Sequence, residues 1–142
     1  MRLVDLNVLL YAVNRNVPKH EAARRWWEGA ISGAEPVGVS WHVLLGFLRL
    51  STGARGMAAP LAVGDALAQV EEWVSHPNVH ILLETPEHWR ILQELLREVG
   101  TAGDLASDAH LAALAISHGA TLVSCDSDFG RFRRLRWENP LA

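Results

Sequence analysis

Short apolar runs alternate along this chain with longer stretches of helical spacing, and that alternation constrains the fold more than any other feature. The runs are RLVDL (Arg2 to Leu6), PVGVS (Pro36 to Ser40), VHILLE (Val79 to Glu84) and TLVS (Thr121 to Ser124). Each has the length and composition of a buried strand. The first leads into a helical stretch through Val8, Leu9 and Tyr11. A helix is expected from Pro18, a residue suited to a first helical position, through Ala22, Ala23, Trp26, Trp27 and Ala30 to a stop at Gly33. After the second run, Val43, Leu44, Phe47 and Leu48 make an apolar face, and Gly53 and Gly56 mark a loop. Val63, Ala66, Leu67, Val70, Trp73 and Val74 then repeat at helical spacing up to Pro77.

After the third run, Thr85 is expected to cap a helix with Pro86 in its first position and Leu92, Leu95, Leu96 and Val99 on its buried face. The stretch from Leu105 to His118 is apolar almost all round, so the helix it forms is covered on most sides. Gly119 sits where a left-handed C-terminal cap is expected. RLRW, ending at Trp137, reads as an edge strand. Strands alternating with helices predict an α/β fold: a mainly parallel sheet with helices on both faces. The 142 residues suit one domain spanning 1–142, with a core large enough to need no staples.

Composition narrows the class. Hydrophobic residues make up 49% and charged residues 20%, the balance of an ordinary globular protein. Cys125 is the only cysteine, so no internal disulfide is available. Asp5 interrupts the first apolar stretch, no cleavage-site pattern follows it, and no apolar run approaches the length of a membrane span. The expectation is a soluble cytoplasmic protein with no membrane association. A net charge of −3 argues against indiscriminate coating of nucleic acid. Lys19 is the only lysine, so the positive charge is otherwise arginine, the better residue for bidentate phosphate contacts.

In parallel α/β sheets, ligands bind beyond the carboxyl ends of the strands, where the strand order reverses. Asp5 ends the first strand, and Asp126 and Asp128 follow the fourth run. If these strands lie near the sheet centre, the three acids converge. Asp108, in the first turn of the buried helix, is placed to join them. Carboxylates held this close stay ionised together only with a compensating cation, and oxygen ligands without His or Cys partners select Mg²⁺ or Mn²⁺. Blander readings stand beside this one. Asp104 reads as the N-cap of the helix beginning at Leu105, and Asp108 alone as an ordinary first-turn acid. DSD before Gly130 is also ordinary turn chemistry. Asp5 is the hardest to dismiss, because an acid inside an apolar strand is expensive unless paired.

Other chemistry is excluded. His110 and His118 lack a third ligand at zinc spacing, and His20, His42, His76, His80 and His88 form no recognisable ligand motif. Cys125 has no histidine placed to activate it. The tryptophans read as core or dimer contacts. There is no Gly-rich phosphate loop. Phosphatase and phospho-receiver folds also begin with an acid after the first strand, but they need a lysine late in the chain, and Lys19 lies too early.

VDLNVLLYA at the start, GFLRLST in the middle, and DAHLAALAISHG and TLVSCDSDFGRF near the end resemble PIN-domain ribonucleases, in particular the VapC toxins of VapBC toxin–antitoxin pairs. The likeness is collinear over nearly the whole chain. It implies a three-layer α/β/α sandwich, a Mg²⁺- or Mn²⁺-dependent endoribonuclease acting on a structured RNA such as tRNA or rRNA, a homodimer, and a VapB-type antitoxin partner. Residue by residue, it implies that Asp5, Asp108 and Asp126 are catalytic acids and metal ligands and that Asp128 is an additional metal ligand. Asn7 and Ser124 match polar positions near the metal, and Arg49 matches an arginine one turn after the family's usual glutamate. Gly46 stands where that glutamate is expected, with Asp104 a candidate to replace the charge. The arginines past the last strand, Arg131, Arg133 and Arg134, are candidate RNA or antitoxin contacts, as is Arg49; a solvated edge strand is the alternative reading of the run. A second functional reading follows from Gly46: a PIN-like module that grips RNA or a partner without cutting.

Overall fold

The computed structural model describes residues Met1–Ala142. Five strands, β1 (Arg2–Val4), β2 (Val37–Val39), β3 (Val79–Ile81), β4 (Thr121–Val123) and β5 (Trp137–Glu138), form one sheet in the order β3-β2-β1-β4-β5. Every neighbouring pair is parallel. Leu3 and Val4 stand level with Leu122 and Val123 across the central pair. All four are fully buried, as the strands of a sheet covered on both faces must be.

Six helices cover the sheet: α1 (Leu6–Val13), α2 (His20–Ser32), α3 (Trp41–Ser51), α4 (Val63–Ser75), α5 (His88–Val99) and α6 (Ala106–Ser117). The chain steps outward from β1 through β2 to β3, then jumps back across the sheet to β4. Right-handed crossovers therefore put α1–α4 on one face and α5–α6 on the other, the α/β/α sandwich expected. On the first face α1 packs against α2 and α3, and on the second α5 packs against α6. Phe47 and Trp27 both meet the edge of Trp73, with ring centroids 4.7 and 5.8 Å away. On α6, Ala109, Ala112, Ala113 and Ala115 are wholly buried, small side chains that let the helix lie close to the strands.

Several boundaries differ from expectation. Pro18 and Lys19 belong to a turn, and α2 starts at His20, whose N–H reaches the Val17 carbonyl at 3.1 Å. Thr85 does not cap α5. Its backbone carbonyl accepts from His88 N at 3.0 Å and its hydroxyl is buried without a partner, so the helix starts at His88 and Pro86 lies in the turn before it. Asp104 is not an N-cap either. It sits in a 3₁₀ turn, Gly103–Leu105, that Gly103 enters at φ +46°, and α6 begins at Ala106 with Leu105 in the cap position and no side-chain cap. The third strand ends at Ile81, although Leu82 N still bonds the Val39 carbonyl. The edge strand is Trp137–Glu138 alone. Gly119 does adopt the left-handed conformation, at φ +63°. No helix is long and apolar enough to cross a membrane.

The direction of strand addition reverses at β1, which is flanked by β2 on one side and β4 on the other. The crevice predicted for a parallel sheet therefore opens above the carboxyl ends of β1 and β4.

Candidate active site

Asp5 is the first residue past β1, and its backbone N–H still bonds the Val123 carbonyl of β4 at 2.9 Å. The strand ladder thus fixes the Cα of this acid against the neighbouring strand. Its side chain caps α1: Oδ1 accepts from Leu6 N at 2.7 Å. Oδ2 accepts from the Ser124 hydroxyl at 2.7 Å and, more distantly, from Asn7 Nδ2 at 3.4 Å. Ser124 is completely buried at the end of β4. Its Oγ also accepts from Asn7 Nδ2 at 3.1 Å and from Asp126 N at 3.0 Å, while Asn7 Oδ1 accepts from Cys125 N at 3.2 Å. One buried hydroxyl therefore ties the end of β1, the start of α1 and the turn after β4 into a single network, with Asn7 and Ser124 both in it. Burial pushes the Asp5 carboxyl above the ordinary range; the Ser124 and Leu6 hydrogen bonds pull it back, and nearby Asp126 adds to the rise.

Asp126 heads a 3₁₀ turn, Ser127–Arg131, and its Oδ1 accepts from Asp128 N at 2.9 Å. The turn reading of DSD holds, and the turn fixes how the two acids are aimed. Carboxylate oxygens of Asp108, Asp126 and Asp128 lie within 4.8 Å of one another, the only such group of His, Cys, Asp or Glu in the chain. Asp108 reaches it from the first turn of α6. Its carboxyl is pushed up to about 6, first by burial and then by Asp126, Asp5 and Asp128. Four carboxylates brought this close, with Asp5 and Asp108 both raised, fit a hard divalent cation with oxygen ligands. Asp104 is exposed and stands outside the group.

The wall opposite the acids is α3. A cavity of about 370 Å³ runs between Asp5 and Asp108 on one side and His42, Gly46 and Arg49 on the other. The three α3 residues are spaced i, i+4, i+7, so they share a face. A Cβ added at Gly46 would meet Leu6 Cδ2 at 2.7 Å. The half-buried Leu6 side chain thus packs beside the position where a carboxylate was expected, and a larger residue there would require its methyl group to shift. A larger cavity of about 930 Å³ lies between the end of α1, α2 and α4. It holds no such converging group of acids, so the smaller cavity is the candidate site.

The arginines after β4 are spread over the surface. Arg134 pairs with Glu94 of α5 at 2.6 Å, the largely exposed Arg133 lies 3.7 Å from Glu98, and Arg136 donates to the Gly119 carbonyl. Arg131, just past the acids, has no ion pair. One feature had no signal in the sequence. His88, buried at the start of α5, lies 3.0 Å through Nε2 from His110 Nδ1. His110 in turn meets His42 edge-on at 5.4 Å between ring centroids. These histidines come from three helices, and only their packing joins them. Burial, then His88 and His42, hold His110 below the usual imidazole range. Glu84 approaches His110 at its other nitrogen, Nε2, at 3.6 Å, so no set of three donors converges here on one ion.

A parallel sheet in this order, with acids from β1, α6 and the turn after β4 near its switch point, is a three-layer α/β/α fold with an acidic crevice. The chain belongs to the PIN domain family, whose model matches residues 2–135. Within it, the chain is similar over its whole length to ribonuclease VapC37 of Mycobacterium tuberculosis, at 47% identity over 142 residues covering 100% of this chain and 99% of the relative. Ribonuclease VapC33 of the same species is 45% identical over 141 residues, covering 99% of each chain. Among solved structures, VapBC2 from Rickettsia felis, bound to a DNA fragment from its promoter, superposes with a TM-score of 0.70 at 19% identity, covering 97% of each chain. The Mycobacterium tuberculosis toxin VapC20, described as sarcin–ricin loop cleaving, gives 0.66 at 22% identity, covering 96% of this chain and 99% of that one.

Proposed function

We propose that this single PIN domain, residues 1–142, is the endoribonuclease toxin of a VapBC-type pair and hydrolyses phosphodiester bonds in a structured cytoplasmic RNA, tRNA or rRNA. The observation that carries the reading is the meeting of Asp108, Asp126 and Asp128 oxygens within 4.8 Å, beside an Asp5 whose two oxygens are held in place by Leu6 N and Ser124 Oγ. Full-length likeness to proteins named ribonuclease VapC supports it. Asp5, Asp108, Asp126 and Asp128 would hold a Mg²⁺ or Mn²⁺ ion. Such an ion, when bound, supplies charge neutralisation at a phosphoryl oxygen and acidifies water. The protein's own contribution is orientation. Ser124 and Asn7 fix the Asp5 carboxylate, and the 3₁₀ turn fixes Asp126 relative to Asp128. The cavity would take an RNA backbone, with Arg49 in its wall and Arg131 at the end of the turn that Asp126 heads as cationic contacts for RNA or for the acidic-site segment of a VapB-type antitoxin.

A second copy of the chain is the proposed partner for exposed apolar side chains: Trp41 and Leu45, one turn apart on α3, and Trp89 on α5 are 52%, 63% and 66% exposed. Purified, antitoxin-free protein incubated with total cellular RNA and Mg²⁺ or Mn²⁺ should yield discrete fragments that vanish with EDTA and with Asp5→Asn. A folded protein that binds RNA yet cuts nothing under these conditions would favour the non-hydrolytic module, the reading to which Gly46 lends weight.

A further inference from the structure

The α3 wall of the cavity carries no carboxylate, and Leu6 packs against the glycine where one was expected. What α3 does present there is His42 and Arg49, one turn before and one turn after Gly46. The crevice therefore has two unlike sides, acids from β1, α6 and the turn after β4 facing an imidazole and a guanidinium. His42 is exposed to solvent, but its ring is not free to wander, because the edge of His110 supports it. His110 is tied to His88. His88 is itself buried with Nδ1 unpartnered, an arrangement that costs stability and that packing alone does not require. The row His88, His110, His42 thus runs from the interior to the rim of the acid crevice and ends on an exposed imidazole that lines it.

From this geometry we infer that His42 is a substrate-binding residue of the ribonuclease site: its imidazole donates to a phosphate next to the scissile one, with Arg49 holding the RNA backbone on the other side of Gly46. The inference rests on the ribonuclease reading and gives a role to the glycine. An uncharged position between two phosphate-binding groups leaves the RNA backbone unrepelled, where a glutamate would repel it. An imidazole donates an N–H to a phosphate oxygen in either ionisation state, whereas it is a poor substitute for a carboxylate toward a hard cation.

The test uses binding, so that it does not depend on turnover. Retention of labelled total cellular RNA is measured with Mg²⁺ present in an Asp5→Asn background, alone and combined with His42→Ala, His42→Gln or Gly46→Glu. Mn²⁺ affinity is measured separately without RNA, by electron paramagnetic resonance, on protein that keeps Asp5. His42→Ala should weaken RNA binding about three- to tenfold, the loss of one ordinary hydrogen bond at a solvent-exposed site, and should leave Mn²⁺ affinity unchanged. His42→Gln, which keeps a donor, should recover most of the RNA affinity. Gly46→Glu should do the opposite to the two ligands, tightening Mn²⁺ and weakening RNA. RNA binding indifferent to His42→Ala would overturn the inference and leave the ribonuclease reading standing, as would a loss of Mn²⁺ affinity in that variant. A parent protein that binds no RNA at all would overturn both.

Discussion

Asp108 offers a test in which damaging the site should strengthen the protein. Its carboxyl titrates at about 6 in the folded chain, against an ordinary value of 3.8. The folded value is the higher one, so the folded state binds a proton that the unfolded state has released. The associated stability is fully present below pH 3.8 and is lost as pH rises through 6. For a wholly enclosed group the loss would be about 3 kcal/mol. Asp108 is only half-buried, and screening by water reduces this to about 1–2 kcal/mol. Asp108→Asn removes the titration while keeping the shape. In EDTA above pH 7 the Asp108→Asn protein should therefore be more stable than the parent, by about 3–6 °C in Tm for a domain of this size. Below pH 4 the two should melt together. Saturating Mg²⁺ should reverse the order, because a ligand present at a hundred times its Kd adds about 2.7 kcal/mol to the protein that binds it. Thermal unfolding followed by circular dichroism across pH, with EDTA and with Mg²⁺, reads all three arms. A metal-free Asp108→Asn protein no more stable than the parent at neutral pH would refute the claim that crowded carboxylates strain this site.

Ser124→Ala should lower Mn²⁺ affinity about 10–100-fold, the usual cost of losing a residue that orients a ligand, and should lower stability by about 1–3 kcal/mol because Asp126 N and Asn7 lose a buried partner; titration calorimetry and urea unfolding measure the two. Gly119→Ala forces a side chain into the left-handed region at φ +63° and should cost about 1–2 kcal/mol with metal affinity intact. Trp89→Glu should shift the protein toward monomer in sedimentation velocity without loss of fold, since the ring it replaces is 66% exposed.

Much of this protein was legible from residue order, because strands and helices write their periods directly into sequence. The alternation gave a parallel α/β sheet. The position of Asp5 within an apolar run, and of Asp126 and Asp128 just after another, placed three acids at strand ends before any topology was known. The helix starts at Thr85 and Asp104 were misjudged for one physical reason. A capping residue type signals where a helix is able to begin, and a local turn, closed by the Thr85 carbonyl in one case and bent by Gly103 in the other, moved the start two residues on in the first and one in the second. Sequence also showed that a glycine replaced an expected glutamate, but not what packs beside it. That contact needed Leu6, forty residues earlier in the chain, to be seen against α3.

The tertiary structure alone decided which groups share the crevice. Strand order put β1 beside β4, which turned acids at positions 5 and 126 into neighbours. It also aligned His42, His88 and His110, which follow no spacing rule because each comes from a different helix. Local chemistry is encoded in neighbouring residues and can be read from them; a site is made of residues that only the folded backbone brings within hydrogen-bonding distance.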